Sequence, residues 1–147
     1  MDVSIVESAI IAQLKAELPY LKNVDVLASL LADDSPDYAL LAPAAFVSYT
    51  GGPYKRVGTS STFDHYMKFI VIIVQRNFVS QKRLLHGTAT SKGVYEVLDD
   101  VRNALTDETC GVAIQPLTPV DDQGLEATRD VVVWGFSFQT RARAQKE

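Results

Sequence analysis

The sequence predicts an α+β fold: a four-stranded, mainly antiparallel sheet with two helices packed on one face, in the order αββαββ. Three observations carry that expectation. Two segments repeat apolar residues at the three- and four-residue spacing of a helical face, and four others alternate or concentrate β-forming residues. The link inside each strand pair is rich in Gly, Pro or Asp, which suits antiparallel neighbours. The chain has 147 residues, 47% hydrophobic and 22% charged. That is enough apolar material for one core and too little length for two, so residues 1–147 read as a single domain.

A capping-box pattern, Ser4-x-x-Glu7, opens the first helix, because hydroxyl and carboxylate can satisfy backbone donors reciprocally. Val6, Ala9, Ile10 and Leu14 then share a face until Pro19 ends the run, which gives a helix from Ile5 to Leu18. Between Tyr20 and Pro43 the pattern weakens. Val24 to Val26 suits a short strand, Leu27 to Leu31 a helical turn and Asp33-Asp34-Ser35-Pro36 a turn, and the stretch reads as mostly irregular. Ala44 to Thr50 concentrates β-formers and stops at Gly51-Gly52-Pro53. The following loop, Gly51 to Thr62, holds Tyr54-Lys55-Arg56 and the small polar run Gly58 to Thr62, so it reads as mobile and solvent-facing.

Phe63 to Arg76 is a long strand. Phe63, His65, Met67, Phe69, Val71 and Ile73 alternate with Asp64, Tyr66, Lys68, Ile70, Ile72 and Val74, so the first set faces the core and the second turns apolar halfway along. Asn77 to Thr88 is mostly polar. Val94, Val97, Leu98, Val101 and Leu105 mark the second helix, with Asp99, Asp100 and Arg102 turned outward. The last third reads as a hairpin of Val112 to Val120 and Ala127 to Thr140, joined by the turn composition Asp121-Asp122-Gln123-Gly124. Pro116 and Pro119 each remove a ladder donor, which places the first of these strands at a sheet edge. In the second, Val132, Trp134, Phe136 and Phe138 share an apolar face.

Charge and composition narrow the function. A net charge of −4 argues against nucleic acid as the main partner, since phosphate binding needs a dense basic face. Cys110 is the only cysteine, which excludes an intrachain disulfide and a cysteine zinc cluster. The longest apolar run, Phe69 to Val74, is far short of the ~20 residues of a membrane span, and the first residues carry no basic n-region; no membrane association and a cytosolic site of synthesis are expected. His65 and His86 have no partner at ligand spacing, and Cys110 beside Gly111 suits a packed residue better than a thiolate. Gly51-Gly52-Pro53 and Gly58-Thr59-Ser60 fit no phosphate-loop pattern. The pairs Asp33-Asp34, Asp99-Asp100 and Asp121-Asp122 diverge on any regular backbone, and Lys55-Arg56, Lys82-Arg83 and Arg141-x-Arg143 are short clusters of the kind found on solvated surfaces or partner contacts. No catalytic residue, cofactor or metal is expected.

Excess strand length and excess apolar surface stand out instead. The strand from Phe63 to Arg76 would reach about 46 Å at ~3.3 Å per residue, against ~17–20 Å for a usual strand. Tyr66, Ile70, Ile72 and Val74, beside Val131 and Val133, lie on a face that two helices need not cover, and such a patch marks a self-assembly interface. The alternative is that Tyr20 to Pro43 packs over them. The Gly51 to Thr62 loop is long for a link between paired strands, so Tyr54, Lys55 and Arg56 at its tip are candidate partner contacts.

An amphipathic first helix, the strand Pro-Ala-Ala-Phe-Val-Ser-Tyr (Pro43 to Tyr49) before a Gly-Gly loop, a long strand ending Val74-Gln75-Arg76-Asn77, and Lys92-Gly93-Val94-Tyr95 opening a helix follow one another in order. This arrangement resembles the small tail-assembly proteins of Mu-like phages and prophages, and more distantly the tail terminators of long-tailed phages. The resemblance implies a structural virion protein that ends tail-tube growth and joins tail to head. It further implies a homo-oligomeric ring, a hexamer in related proteins, whose partners are the tail tube protein and the head-tail connector. Such a protein would act in the host cytoplasm during assembly and remain in the virion tail. Another connector component, or a small cytosolic enzyme with an unrecognised site, are the alternatives.

Overall fold

The computed structural model describes residues 2–31, 41–76, 92–128 and 131–145. Helix α1 (Val3–Glu17) is followed by β1 (Asn23–Val26), the short helix α2 (Leu27–Leu31), β2 (Ala44–Gly51), β3 (Tyr54–Arg56), β4 (Thr62–Arg76), α3 (Val94–Leu105), β5 (Thr118–Ala127) and β6 (Val131–Gln145). Among the described residues the sheet has six strands in the order β1-β2-β4-β6-β5, with β3 paired to β4 off that path.

Among the described residues the expected four strands and two helices are therefore corrected to six strands and three helices, still mixed α+β. The additional elements are short. β1 pairs parallel to β2 over only four residues, from Asn23↔Ala44 to Val26↔Val47, and β3 pairs over three, from Tyr54↔His65 to Arg56↔Phe63. β1 and α2 lie where Val24 to Val26 suited a short strand and Leu27 to Leu31 a helical turn, whereas β3 was not expected, since three residues show no period; that β1 pairs parallel to β2 is chosen by tertiary packing. The Asp33 to Pro36 turn and the polar stretch after Arg76 lie outside the described residues.

Asp2, not Ser4, caps α1: its carboxylate accepts the Ser4 backbone N–H at 2.9 Å and the Ser4 hydroxyl at 3.0 Å. The helix thus begins two residues before the expected start, at Val3. Val6, Ile10 and Leu14 bury its apolar face, and Val94, Val97, Leu98, Val101, Ala104 and Leu105 bury that of α3. Both helices press on one sheet face, against Ala45 and Val47 of β2, Met67, Phe69, Val71 and Ile73 of β4, and Val132, Phe136 and Phe138 of β6. Gln13 Nε2 donates to the Ala104 carbonyl at 3.2 Å where the helices meet. A second set of polar contacts meets on α3: the Tyr20 hydroxyl donates to Asp100 at 2.6 Å, and Lys92 reaches the same carboxylate at 2.7 Å. Burial and that bond push the Tyr20 phenol well above its ordinary pKa.

β4 and β6 form an unbroken antiparallel ladder from Thr62↔Gln145 to Arg76↔Val131, and the face assignment read from the alternation of β4 holds. The last hairpin is drawn differently from the expectation. Asp121 to Gly124 lie inside β5 rather than in a turn, and Val112 to Leu117 run as a loop before it, with Ile114 and Leu117 buried. Turn-type residues are tolerated there because β5 is an exposed edge strand, and two register shifts, at Pro119/Asp121 and Gly124/Glu126, absorb the misfit.

Candidate interaction surface

The ladder between β2 and β4 ends at Gly51↔Lys68, whereas β4 and β6 continue together to Thr62↔Gln145. On that projecting end sits β3. The chain reaches it through Gly52-Pro53, where a Cβ on Gly52 would lie 1.6 Å from the Tyr66 carbonyl oxygen, so only glycine permits the approach. The Pro53 carbonyl then accepts the Tyr66 N–H at 2.9 Å. Beyond Arg56 the chain turns back tightly: the Val57 N–H donates to the Thr62 carbonyl at 2.9 Å, Gly58 takes a φ of +63°, and Arg56 Nη1 donates to the Ser60 carbonyl at 2.6 Å.

Tyr54, Lys55 and Arg56 are consequently not the tip of a mobile loop, as the sequence suggested, but an ordered strand. All three are exposed, Tyr54 by 59%. Each lies against an aromatic or imidazole ring. Tyr54 stacks on His65 with centroids 3.8 Å apart, Lys55 Nζ stands 5.0 Å from the Tyr66 centroid with Arg141 at 6.0 Å, and the Arg56 guanidinium is 4.8 Å from that of Phe63. Cations over ring faces are held by the ring quadrupole while staying open to solvent. Beneath the flap His65 is 2% exposed, its Nε2 2.8 Å from the Tyr49 hydroxyl. Burial lowers the His65 pKa and raises that of Tyr49.

The four residues expected to form a self-assembly face are separated by the structure. Val74 is fully buried and Ile72 is 8% exposed, packed with Ala42, Ala44, Phe46, Val131 and Val133, while Leu27 and Leu41 lie against this cluster. Parts of the weakly patterned Tyr20 to Pro43 stretch thus cover the lower half of that face. Tyr66 and Ile70 remain partly exposed on its upper half.

The remaining chemistry-bearing residues are scattered. Cys110 is half-buried against the main core with a φ of 54°, and burial, aided by Glu108, pushes its thiol up to about 11. Asp99 pairs with Arg102 at 3.0 Å, Asp122 accepts the Trp134 indole N–H at 2.9 Å, and Arg143 reaches Asp64 at 3.1 Å. His86, Lys82-Arg83 and Asp33-Asp34 lie outside the described residues. Among the described residues no three His, Cys, Asp or Glu side chains cluster as metal ligands, and no helix is long and apolar enough to cross a membrane.

The chain is thus a small mixed α+β protein that presents an exposed, ordered flap of Tyr, Lys and Arg. The model of the family described as bacteriophage Mu, Gp37 matches residues 2–137, and the chain belongs to that family. It is accordingly a Mu-like phage protein of the structural, tail-related kind. No curated protein matches it. The flap was missed as a strand because three exposed residues leave no burial pattern; the signal available was Gly-Gly-Pro, which marks a close backbone approach.

Proposed function

We propose that this protein is the tail terminator: it caps the tail tube, ends its growth and joins it to the head, assembling as a homo-oligomeric ring between the tube protein and the head-tail connector. Membership of the Mu Gp37 family, over 2–137, carries this reading. The geometry supports it through the flap, where Tyr54, Lys55 and Arg56 are rigidly presented on strands that outrun β2. A large aromatic and two cations held in place lose little side-chain freedom on binding, which favours a protein contact. The protein would act without catalysis, in the host cytoplasm during assembly and then in the virion tail.

The test is a phage lacking this protein, complemented from a plasmid and imaged by negative-stain electron microscopy. Without it, tubes of uncontrolled length and tailless heads are expected, and complementation restores tails of one length. Tubes of normal length that fail to join heads would assign it to the connector instead, and normal particles would remove it from assembly.

A further inference from the structure

The two sheet edges that carry no further strand among the described residues differ in charge. β5 closes one side, and its ten residues carry Asp121, Asp122 and Glu126 with no Lys or Arg. On the other side β1 shields β2 only as far as Val47, so the run from Ser48 through β3, paired to β4 on its inner side, has no strand on its outer side among the described residues; it carries Lys55 and Arg56 and no carboxylate. Of the five large hydrophobics exposed among the described residues, three lie on these edges: Val120 and Leu125 on β5, and Tyr54 on β3. Asp121 and Glu126 take part in no ion pair among the described residues.

An open strand edge offers unpaired backbone groups to another chain, and like charges are a device that blocks pairing with itself. Three carboxylates on β5 repel the β5 of a second copy, and the basic edge likewise repels its own kind. Neither repulsion acts between the acidic edge of one copy and the basic edge of the next, so the same charges that exclude one pairing favour the other. We propose that the β5 edge of one protomer docks on the Ser48 to Arg56 edge of a second copy of this chain. The contact is head-to-tail, so repetition closes into a ring if the rotation permits and otherwise runs on as a filament. This inference rests on the reading of the protein as a self-assembling tail cap and names the surfaces that would build it.

Two charge-reversed full-length variants test it: Asp121→Lys with Glu126→Lys, which leaves the Asp122–Trp134 bond alone, and Lys55→Glu with Arg56→Glu. In sedimentation velocity over a concentration series, each variant alone should need about a hundredfold more protein than the native chain to self-associate. Their equimolar mixture should associate as the native chain does, because each edge then again meets its opposite. At 1 M salt, where the screening length falls to about 3 Å, native association should weaken. Hydrogen exchange of the native chain gives a readout free of any folding effect: amides of β5 and of residues 48–56 should exchange about tenfold more slowly in concentrated than in dilute samples. The proposal is overturned if the native chain stays monomeric, if either variant associates normally, if the mixture shows no rescue, or if exchange at the two edges is unchanged. A native-like oligomer with an unaffected β5 edge but incomplete tails would assign Lys55 and Arg56 to the tube or connector; this overturns the edge contact and leaves the terminator reading standing. Normal tails in the absence of the protein would remove the terminator reading itself.

Discussion

His65 shows how one side chain ties the flap to the core. It lies under Tyr54, bonds Tyr49 and is 2% exposed. Burial holds its pKa below the ordinary 6.5, so on acidification the unfolded chain takes up this proton before the folded protein does. Its contribution to stability is complete above the unfolded value and is lost as pH falls through the lower folded value. Thermal melts followed by circular dichroism should therefore show a falling Tm from about pH 6.5 downward, with part of that slope absent in His65→Gln. Equal slopes in both proteins would show that His65 titrates freely. Its inward face was legible from the alternation of β4, but the ring stacking on it was not, since Tyr54 reaches it only through the pairing of β3.

Among elements, β4 separates what pattern predicts from what packing decides. Ile70 and Ile72 share the strand face that the sequence suggests as a self-assembly interface. Ile72 is instead enclosed with Phe46 and Val74. Ile72→Lys should unfold the domain in urea titrations, because an unpaired buried ammonium costs several kcal/mol, on the order of the whole stability. Ile70 is only partly buried, so a lysine there can extend its ammonium to solvent, and Ile70→Lys should cost about 1 kcal/mol or less. Similar losses at both positions would mean the two halves of the face are equally covered. The flap gives a second expectation. Gly52→Ala places a Cβ against the Tyr66 backbone, which cannot yield as a side-chain tip would, and should destabilise by about 1–3 kcal/mol. Faster hydrogen exchange at Tyr66, whose N–H is held by Pro53, would locate the damage; an unchanged rate there would place it elsewhere.

At the scale of the whole molecule, two sheet faces have different fates. One is packed by α1 and α3, and the other is covered, among the described residues, where Leu27 and Leu41 meet the cluster of Phe46 and Val74. The remainder of that face, the flap and the β5 edge are the surfaces that the proposed assembly role would use. Replacing Tyr54, Lys55 and Arg56 together with alanine removes exposed side chains and with them the ring stacked on His65, so stability should fall by about 1–2 kcal/mol with the fold kept, while complementation of a phage lacking the protein should yield few completed tails. Wild-type yields of infectious particles would take the flap out of the contact surface.

By itself the sequence determined the class and the principal elements: the helical spacing of Val94 to Leu105, the alternation of Phe63 to Ile73, and the edge position marked by Pro119 all reflect local periods and donors that each residue carries with it. Tertiary structure alone decided the parallel docking of β1 on β2, the ordering of Tyr54 to Arg56 into a strand, the enclosure of Ile72 and Val74, and the continuation of β5 through Asp121 to Gly124. These depend on which distant backbone and side chains come to lie alongside. A short run has too few residues to encode its partner in a period, and the apolar faces of a strand look alike until something packs on one of them.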